Sequence, residues 1–441
     1  MSRGTRVMAW LGAYVLAVAL GAGAALGAGA VMGMRDDAGP TVTQVAEPEE
    51  ERSDVADVAE APPPVTEDVD VVVSDEASPE GVEVAQPVAY EGSDLYVARG
   101  MLPEALRGTY DAFLAGTLSG EPTFRIECST DDAAKVAIAI SLDHPEFTWL
   151  DGSWSMVGWS NGVCDITPGR SNPNDGIAEQ CVSVADTLLN DALAGVEAPT
   201  QHDIAWAAYE ALASWCSYDE TAPDNQSMRS ALIGRRSVCA GYARAFQCMC
   251  QRRGIRCMCV TGTARGAVRG STDVSTHMWC VAELDGSWCH IDPTWGDPSH
   301  VEEGVELATQ DGTALPEWFG LDDETLARTG RTVDDSDLVP ACQTHDHDQL
   351  SRMGCVVHSD DEAELVSVVR AQLEDGGSNV AVVRVEDEAL WSRVLASMEP
   401  GARFVLDDLL EEVALSRGMW SLRYETSYDE GLRVMRVVLL A

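Results

Sequence analysis

Asp285-Gly286 divides two runs of strand-forming residues, 277–284 and 287–292, and no other short stretch restricts the fold of this chain as much. Asp-Gly supplies the two positive-φ positions of a type I′ turn, so the flanking runs close as a two-residue hairpin. That turn pairs Leu284 with Ser287. Counting outward sets His290 opposite Val281 and Trp279 opposite Asp292. Side chains alternate along a strand, so His277 points to the same face as Asp292 and is its diagonal neighbour. A histidine and a carboxylate therefore meet on one face of an antiparallel pair.

Upstream, Cys239 stands where a loop gives way to an apolar run of helical spacing, with Tyr242, Phe246 and Cys250 following at four-residue intervals. A thiol at a helix N-terminus feels the partial positive charge of unpaired backbone N–H groups, which favours the thiolate. The same groups can hold a developing oxyanion. A lone cysteine in an apolar run is ordinarily core packing. Beside a histidine oriented by a carboxylate, it completes the composition of a Cys-His-Asp nucleophilic triad.

The residues that carry this geometry also carry a resemblance. Val238-Cys239-x-Gly241-Tyr242-Ala243, then His277-x-Trp279, then His290-x-Asp292-x-Thr294-Trp295 resemble the bacterial branch of the transglutaminase-like superfamily in motif and in order. The resemblance is dense over 201–298, weaker over 95–200 and absent beyond about residue 300. It implies that Cys239 is the nucleophile, His277 the base and Asp292 the residue that orients it.

Three rivals share the neighbourhood. His290 lies on the Asp292 side of the hairpin, but the family pattern puts the base at the start of the first strand. Asp297 follows Pro293, where the strand has ended, and reads as a turn residue. Gln226 is either a loop amide or a carbonyl-binding group near the site.

The chain of 441 residues has a formal net charge of -44, which repels phosphate backbones, and no basic stripe interrupts it. Nucleic acid is excluded as a partner. No run of carboxylates spaced around a glycine suggests calcium. Thirteen cysteines suit an exported protein, and twelve remain for pairing if Cys239 is free. Cys248-x-Cys250 and Cys257-x-Cys259 are spaced as core thiols or disulfide partners, not as zinc ligands. No metal and no cofactor is expected.

In chain order, Arg3 and Arg6 precede a charge-free apolar run over 7–34, long enough for a single-pass membrane anchor. A cleaved signal peptide is the alternative, at small-residue sites such as Ala22-Gly23-Ala24. The anchor would leave the catalytic part outside the cytoplasm. Residues 36–88, rich in Val, Pro, Ala and carboxylates, read as a disordered acidic linker. A mixed α/β region follows over 89–200 and the catalytic core over 201–300, with a mobile polar loop expected at 265–276 beside His277. An irregular acidic linker is expected over 301–350, including a solvated His345 and His347. Residues 351–441 read as a small α/β domain in which Ser359-x-x-Glu362 opens a helix as a capping box.

The expected fold is thus α+β: a transglutaminase-like, papain-like core with its nucleophile helix on an antiparallel sheet, a mixed α/β part before it and a small α/β domain after it. By resemblance the expected activity is attack on a peptide or glutamine amide through a thioester. Hydrolysis is favoured over crosslinking, and the substrate is a protein or peptide, cell-surface or cell-wall associated. A non-catalytic binding module on the same fold is the alternative class.

Overall fold

The Asp-Gly turn closes as its residue types require. Asp285 and Gly286 have φ of 47° and 96°, and Ser287 faces Leu284, His290 faces Val281 and Ile291 faces Cys280. The computed structural model describes residues 42–44, 69–90, 92–171, 176–265, 274–298, 314–375, 378–399, 401–419 and 421–440.

Ahead of the hairpin run β1 (Val42–Gln44), β2 (Val69–Val73), α1 (Val97–Met101), α2 (Glu104–Leu118), β3 (Phe124–Ile126), α3 (Thr130–Asp143), β4 (Leu150–Gly158), β5 (Cys164–Arg170) and α4 (Ile177–Ala192). Strands β2, β4, β5 and β3 form one sheet in that order. Phe113 of α2 stacks edge-on against Phe124 and Trp154, which joins helix to sheet. The stretch 36–88 is therefore not wholly linker. Its Val-Asp-Val-Val-Val run is β2, paired in parallel with β4. A short apolar run shows no strand character alone because its ladder partner lies about eighty residues away.

The next elements are α5 (Gln201–Trp215), β6 (Ser217–Tyr218), β7 (Arg236–Ser237), α6 (Cys239–Gln251), β8 (Cys257–Arg265), β9 (Val274–Leu284), β10 (Ser287–Ile291), β11 (Phe319–Leu321), α7 (Asp323–Arg328), β12 (Thr332–Val333) and α8 (Gln349–Arg352). Helix α6 packs on β8 and β9 and against α5 and α4. The sheet order is β11-β10-β9-β8-β12, antiparallel throughout. Both outer strands come from the stretch expected to be an irregular linker, so the core sheet runs on to Val333. Strands of two and three residues draw their order from the hairpin beside them, and no local pattern announces them. Of the expected loop at 265–276, the described residues belong to strands, since β8 reaches Arg265 and β9 starts at Val274; residues 266–273 lie outside the described ones.

The last part holds β13 (Val356–Val357), α9 (Glu362–Arg370), β14 (Val380–Val385), α10 (Glu388–Met398), α11 (Asp407–Ser416), β15 (Leu422–Asp429) and β16 (Val434–Leu440). Its sheet, ordered β1-β15-β16-β14-β13, covers an apolar core of its own. Asp361, not Ser359, caps α9 by accepting from Ala363 N, while Ser359 bonds Glu364. Two buried ion pairs tie this part to the segment before it, Arg384 with Asp348 at 2.7 Å and Arg436 with Glu317. His347, expected in solvent, is buried and stacks on His202, whereas His345 is largely exposed.

The single-pass anchor, and with it the membrane localisation, is corrected: among the described residues no helix is long and apolar enough to cross a membrane. The run 7–34 on which it was based lies outside the described residues. All thirteen cysteines are unpaired thiols, and all but Cys128 are buried.

Gly241 marks the closest packing in α6. A Cβ there would lie 1.9 Å from Ser237 Oγ and 2.8 Å from the Ser227 carbonyl oxygen. Gly108, exposed on α2, has nothing within 4 Å of a Cβ. Gly241→Ala is expected to destabilise by about 2 kcal/mol through overpacking. Gly108→Ala is expected to stabilise by up to about 1 kcal/mol through helix propensity. Urea unfolding of both variants checks the pair.

Candidate active site

Three elements bring the site together. Ser237 Oγ donates to the Asn225 carbonyl at 2.7 Å and meets Ser230 Oγ, which fixes the loop just before α6. Val238 is the N-cap, in extended conformation, so Cys239 is the first residue of the helix. The first intrahelical bonds are those that the Gly241 and Tyr242 N–H groups donate to the Val238 carbonyl, at 3.1 and 3.2 Å, so the Cys239 and Ala240 N–H groups precede the ladder. The short parallel pair of β6 and β7 sets Tyr218 beside Ser237, two residues from Cys239. Burial, and then the Cys239 charge, push the Tyr218 phenol well up, so it stays protonated and able to donate.

His277 lies within β9, opposite Gly262 of β8. No side chain larger than hydrogen fits at Gly262, because a Cβ there would strike the Thr332 carbonyl at 1.9 Å and the Trp279 ring at 2.8 Å. The imidazole stacks on Trp279 at 5.9 Å between centroids and meets the edge of Trp295 at 6.5 Å. Its Nε2 is 2.7 Å from Asp292 Oδ2, which leaves Nδ1 for the Cys239 thiol, its other bonded neighbour. Burial alone would lower the His277 pKa. The Asp292 charge and hydrogen bond, helped by Cys239, outweigh it and raise the pKa to about 9.

Asp292 directly follows β10 and is almost fully enclosed. Its backbone N–H donates to the Trp318 carbonyl at 2.9 Å. Oδ1 accepts from the Thr294 and Trp295 N–H groups at 3.2 Å each. Oδ2 accepts from His277 and also from Arg331 Nη2 at 2.7 Å. Burial pushes this carboxyl up, but the His277 and Arg331 charges and these hydrogen bonds hold it down at about 2. The site thus joins a thiol at a helix N-terminus, an imidazole and an ionised carboxylate. That arrangement can form a thiolate–imidazolium pair and deliver a proton to a leaving group.

The rivals fall elsewhere. His290 accepts from Trp279 Nε1 at 3.1 Å and bonds Asp323 Oδ1 through Nε2 at 3.0 Å. Cys342 lies next to this pair. Because the indole donates to Nδ1, the Nε2 of His290 carries the ring proton and has no lone pair for a metal. Asp297 is buried and accepts from the Tyr242 hydroxyl. Gln226 is half-buried, and its main-chain carbonyl accepts from Arg244 Nη1 at 2.8 Å. Sequence reasoning missed Tyr218 and Arg331. The pairing of β6 with β7 could not be read from two-residue strands, and Arg331 lies in a segment without periodicity.

Residues 186–293 match the transglutaminase-like superfamily. Over 123 residues the chain is 32% identical to human kyphoscoliosis peptidase, covering 25% of this chain and 18% of that protein. The mouse protein of the same name is 33% identical over 82 residues, covering 17% of this chain and 12% of its own length. The chain thus spans less than a fifth of either relative. A solved TGase covers 43% of this chain and 55% of its own at 10% identity, with a TM-score of 0.24. The periplasmic domain of TgpA from Pseudomonas aeruginosa, bound to ethylmercury, covers 32% and 56% at 18% identity and a TM-score of 0.21. The chain carries a transglutaminase-like domain.

The two shifts set a pH window. The His277 value in the folded protein lies above its ordinary 6.5, so its contribution is complete below that pH and lost as pH rises through about 9. The Asp292 value lies below its ordinary 3.8, so its contribution is complete above about pH 4 and lost as pH falls through about 2. Between pH 6 and pH 10, the stability gap between the wild type and His277→Gln should narrow by on the order of 3 kcal/mol. Urea unfolding across that range checks it, and a constant gap would contradict it.

Proposed function

We propose that the protein is a cysteine acyl-transfer enzyme in which Cys239, His277 and Asp292 form the catalytic triad. The observation that carries this reading is the 2.7 Å contact of His277 Nε2 with Asp292 Oδ2, with the opposite ring nitrogen left for a thiol at a helix N-terminus. His277 takes the thiol proton, and the Cys239 sulfur attacks the carbonyl carbon of a peptide or glutamine amide. The Cys239 backbone N–H holds the oxyanion, with the Tyr218 phenol as our candidate for a second donor. As the C–N bond breaks, the imidazolium gives its proton to the departing amine or ammonia, and a thioester remains.

The second half decides the product. Attack by water, deprotonated by His277, releases a carboxylic acid and restores the thiol. Attack by a lysine-type amine gives a crosslink. We favour water, with a protein or peptide as substrate. The local similarity to a peptidase supports this, as does the mixed α/β character of the added parts, none of which is a β domain of the kind that shapes an amine channel in larger crosslinking enzymes.

Incubation with a glutamine-containing protein and a labelled primary amine, read by mass spectrometry, tests the choice. Backbone cleavage or a deamidation shift of about one dalton, lost in Cys239→Ala, is the expected result. Stable amine incorporation would overturn the preference for water. Neither signal, across several substrates and with a reactive Cys239, would favour a binding module on this fold.

A further inference from the structure

Arg331 enters the site from outside the family match, which ends at residue 293. It is buried, and its Nη2 and the Nε2 of His277 are each 2.7 Å from the same carboxylate oxygen. The two cationic groups are therefore no more than about 5.4 Å apart. Its planar head lies over Trp318 at 4.1 Å and Trp295 at 4.9 Å, and Nη1 donates to Thr329 Oγ1 at 3.1 Å. Two indoles and a hydroxyl hold the guanidinium on Asp292.

We propose that Arg331 is a positioning residue of the active site, a fourth charge that neutralises Asp292 and so sets the balance of the Cys239–His277 ion pair. The inference rests on the triad reading above. The reason is a count of buried charges. Thiolate and imidazolium cancel, which leaves the Asp292 carboxylate as an uncompensated negative charge in a dry site. A buried charge without a partner costs several kcal/mol, and it also acts on its neighbours. Here it would repel the thiolate and over-stabilise the imidazolium. With Arg331 present, the four groups sum to zero.

The C-terminal domain keeps this charge in place. The turn between β15 and β16 lies directly on the segment before Arg331, since a Cβ at Gly431 would come within 2.7 Å of Thr329 Cα. Arg436 of β16 pairs with Glu317, the neighbour of Trp318. Among the described residues, the charged groups near the site include Asp429 on β15, whose charge acts on Arg331, the Glu317–Arg436 pair, which is neutral in itself, Asp297, which accepts from Tyr242, and Arg265, whose side chain lies beside Gly330.

Loss of the charge and loss of position leave different signatures in the pH profile of Cys239 alkylation. In the wild type, fast alkylation begins where the thiolate–imidazolium pair forms and changes again where the imidazolium loses its proton. Removing a nearby positive charge makes the thiolate harder to form and the imidazolium harder to deprotonate, so both limbs move to higher pH. A merely loosened site weakens the pair, and the limbs converge.

The test is the alkylation profile of the full chain as wild type, Arg331→Met, Arg331→Gln and Arg331→Lys, with Cys239→Ala as the blank. Arg331→Met and Arg331→Gln should move both limbs upward, the basic one by on the order of one pH unit. Arg331→Lys should recover part of the shift. Converging or unmoved limbs in either uncharged variant would overturn the inference. So would a folded Arg331→Lys beside two uncharged variants that do not fold, because the charge then serves stability alone. A wild type in which Cys239 alkylates no faster than the other thiols would instead sink the triad reading itself, so the two failures are distinguishable.

Discussion

One carboxylate oxygen, Asp292 Oδ2, accepts from both His277 and Arg331 at 2.7 Å, and much of the molecule is arranged to keep it there. A buried carboxylate is tolerated only when its lone pairs are filled and its charge is answered. Asp292 achieves this with two main-chain N–H groups on Oδ1 and two cationic side chains on Oδ2. These four donors come from three local sources. The β9–β10 hairpin brings His277, the turn after β10 brings Thr294 and Trp295, and the segment after α7 brings Arg331. The position of α6 then follows, because it must pack on β8 and β9 with Cys239 at the end nearest the imidazole.

The hairpin and its register could be read from Asp285-Gly286 because turn chemistry is local. Two residues with positive φ fix which side chains face each other for several positions on either side. The α6 helix was readable for a similar reason, since its apolar spacing and its start at Cys239 are both written in one short stretch. The α+β class and the C-terminal strand–helix order followed from the same kind of pattern. The outer strands β11 and β12 were not readable. At two and three residues they have no period of their own, and they become strands only because β10 and β8 offer free edges. Arg331 was hidden for the same reason. Its partner is 39 residues back in the chain, and a single arginine in an acidic excursion looks like a surface charge.

The cysteines illustrate the limit from the other side. Cys250, Cys257, Cys259, Cys280 and Cys289 are buried free thiols between α6 and the sheet; burial pushes Cys250, Cys280 and Cys289 up, while at Cys257 burial is outweighed by hydrogen bonds from Cys250 and Cys280, which lower it. What distinguishes Cys239 is its place at the helix end beside His277 and Tyr218, which depends on the fold. The C-terminal domain has its own core, yet Arg436 on β16 pairs with Glu317 beside Trp318, and Arg384 on β14 pairs with Asp348. It therefore acts on the site through packing and through charge, that of Asp429 on Arg331 included.

The most direct measurement is the titration of His277 itself, followed by nuclear magnetic resonance of histidine-labelled protein with His277→Gln to assign the signal. If Asp292 holds the imidazolium as its geometry implies, the ring stays protonated at neutral pH and loses its proton near pH 9. A His277 that titrates at or below its ordinary 6.5 would contradict the account, because the buried carboxylate would then not be stabilising the charge around which the site is built.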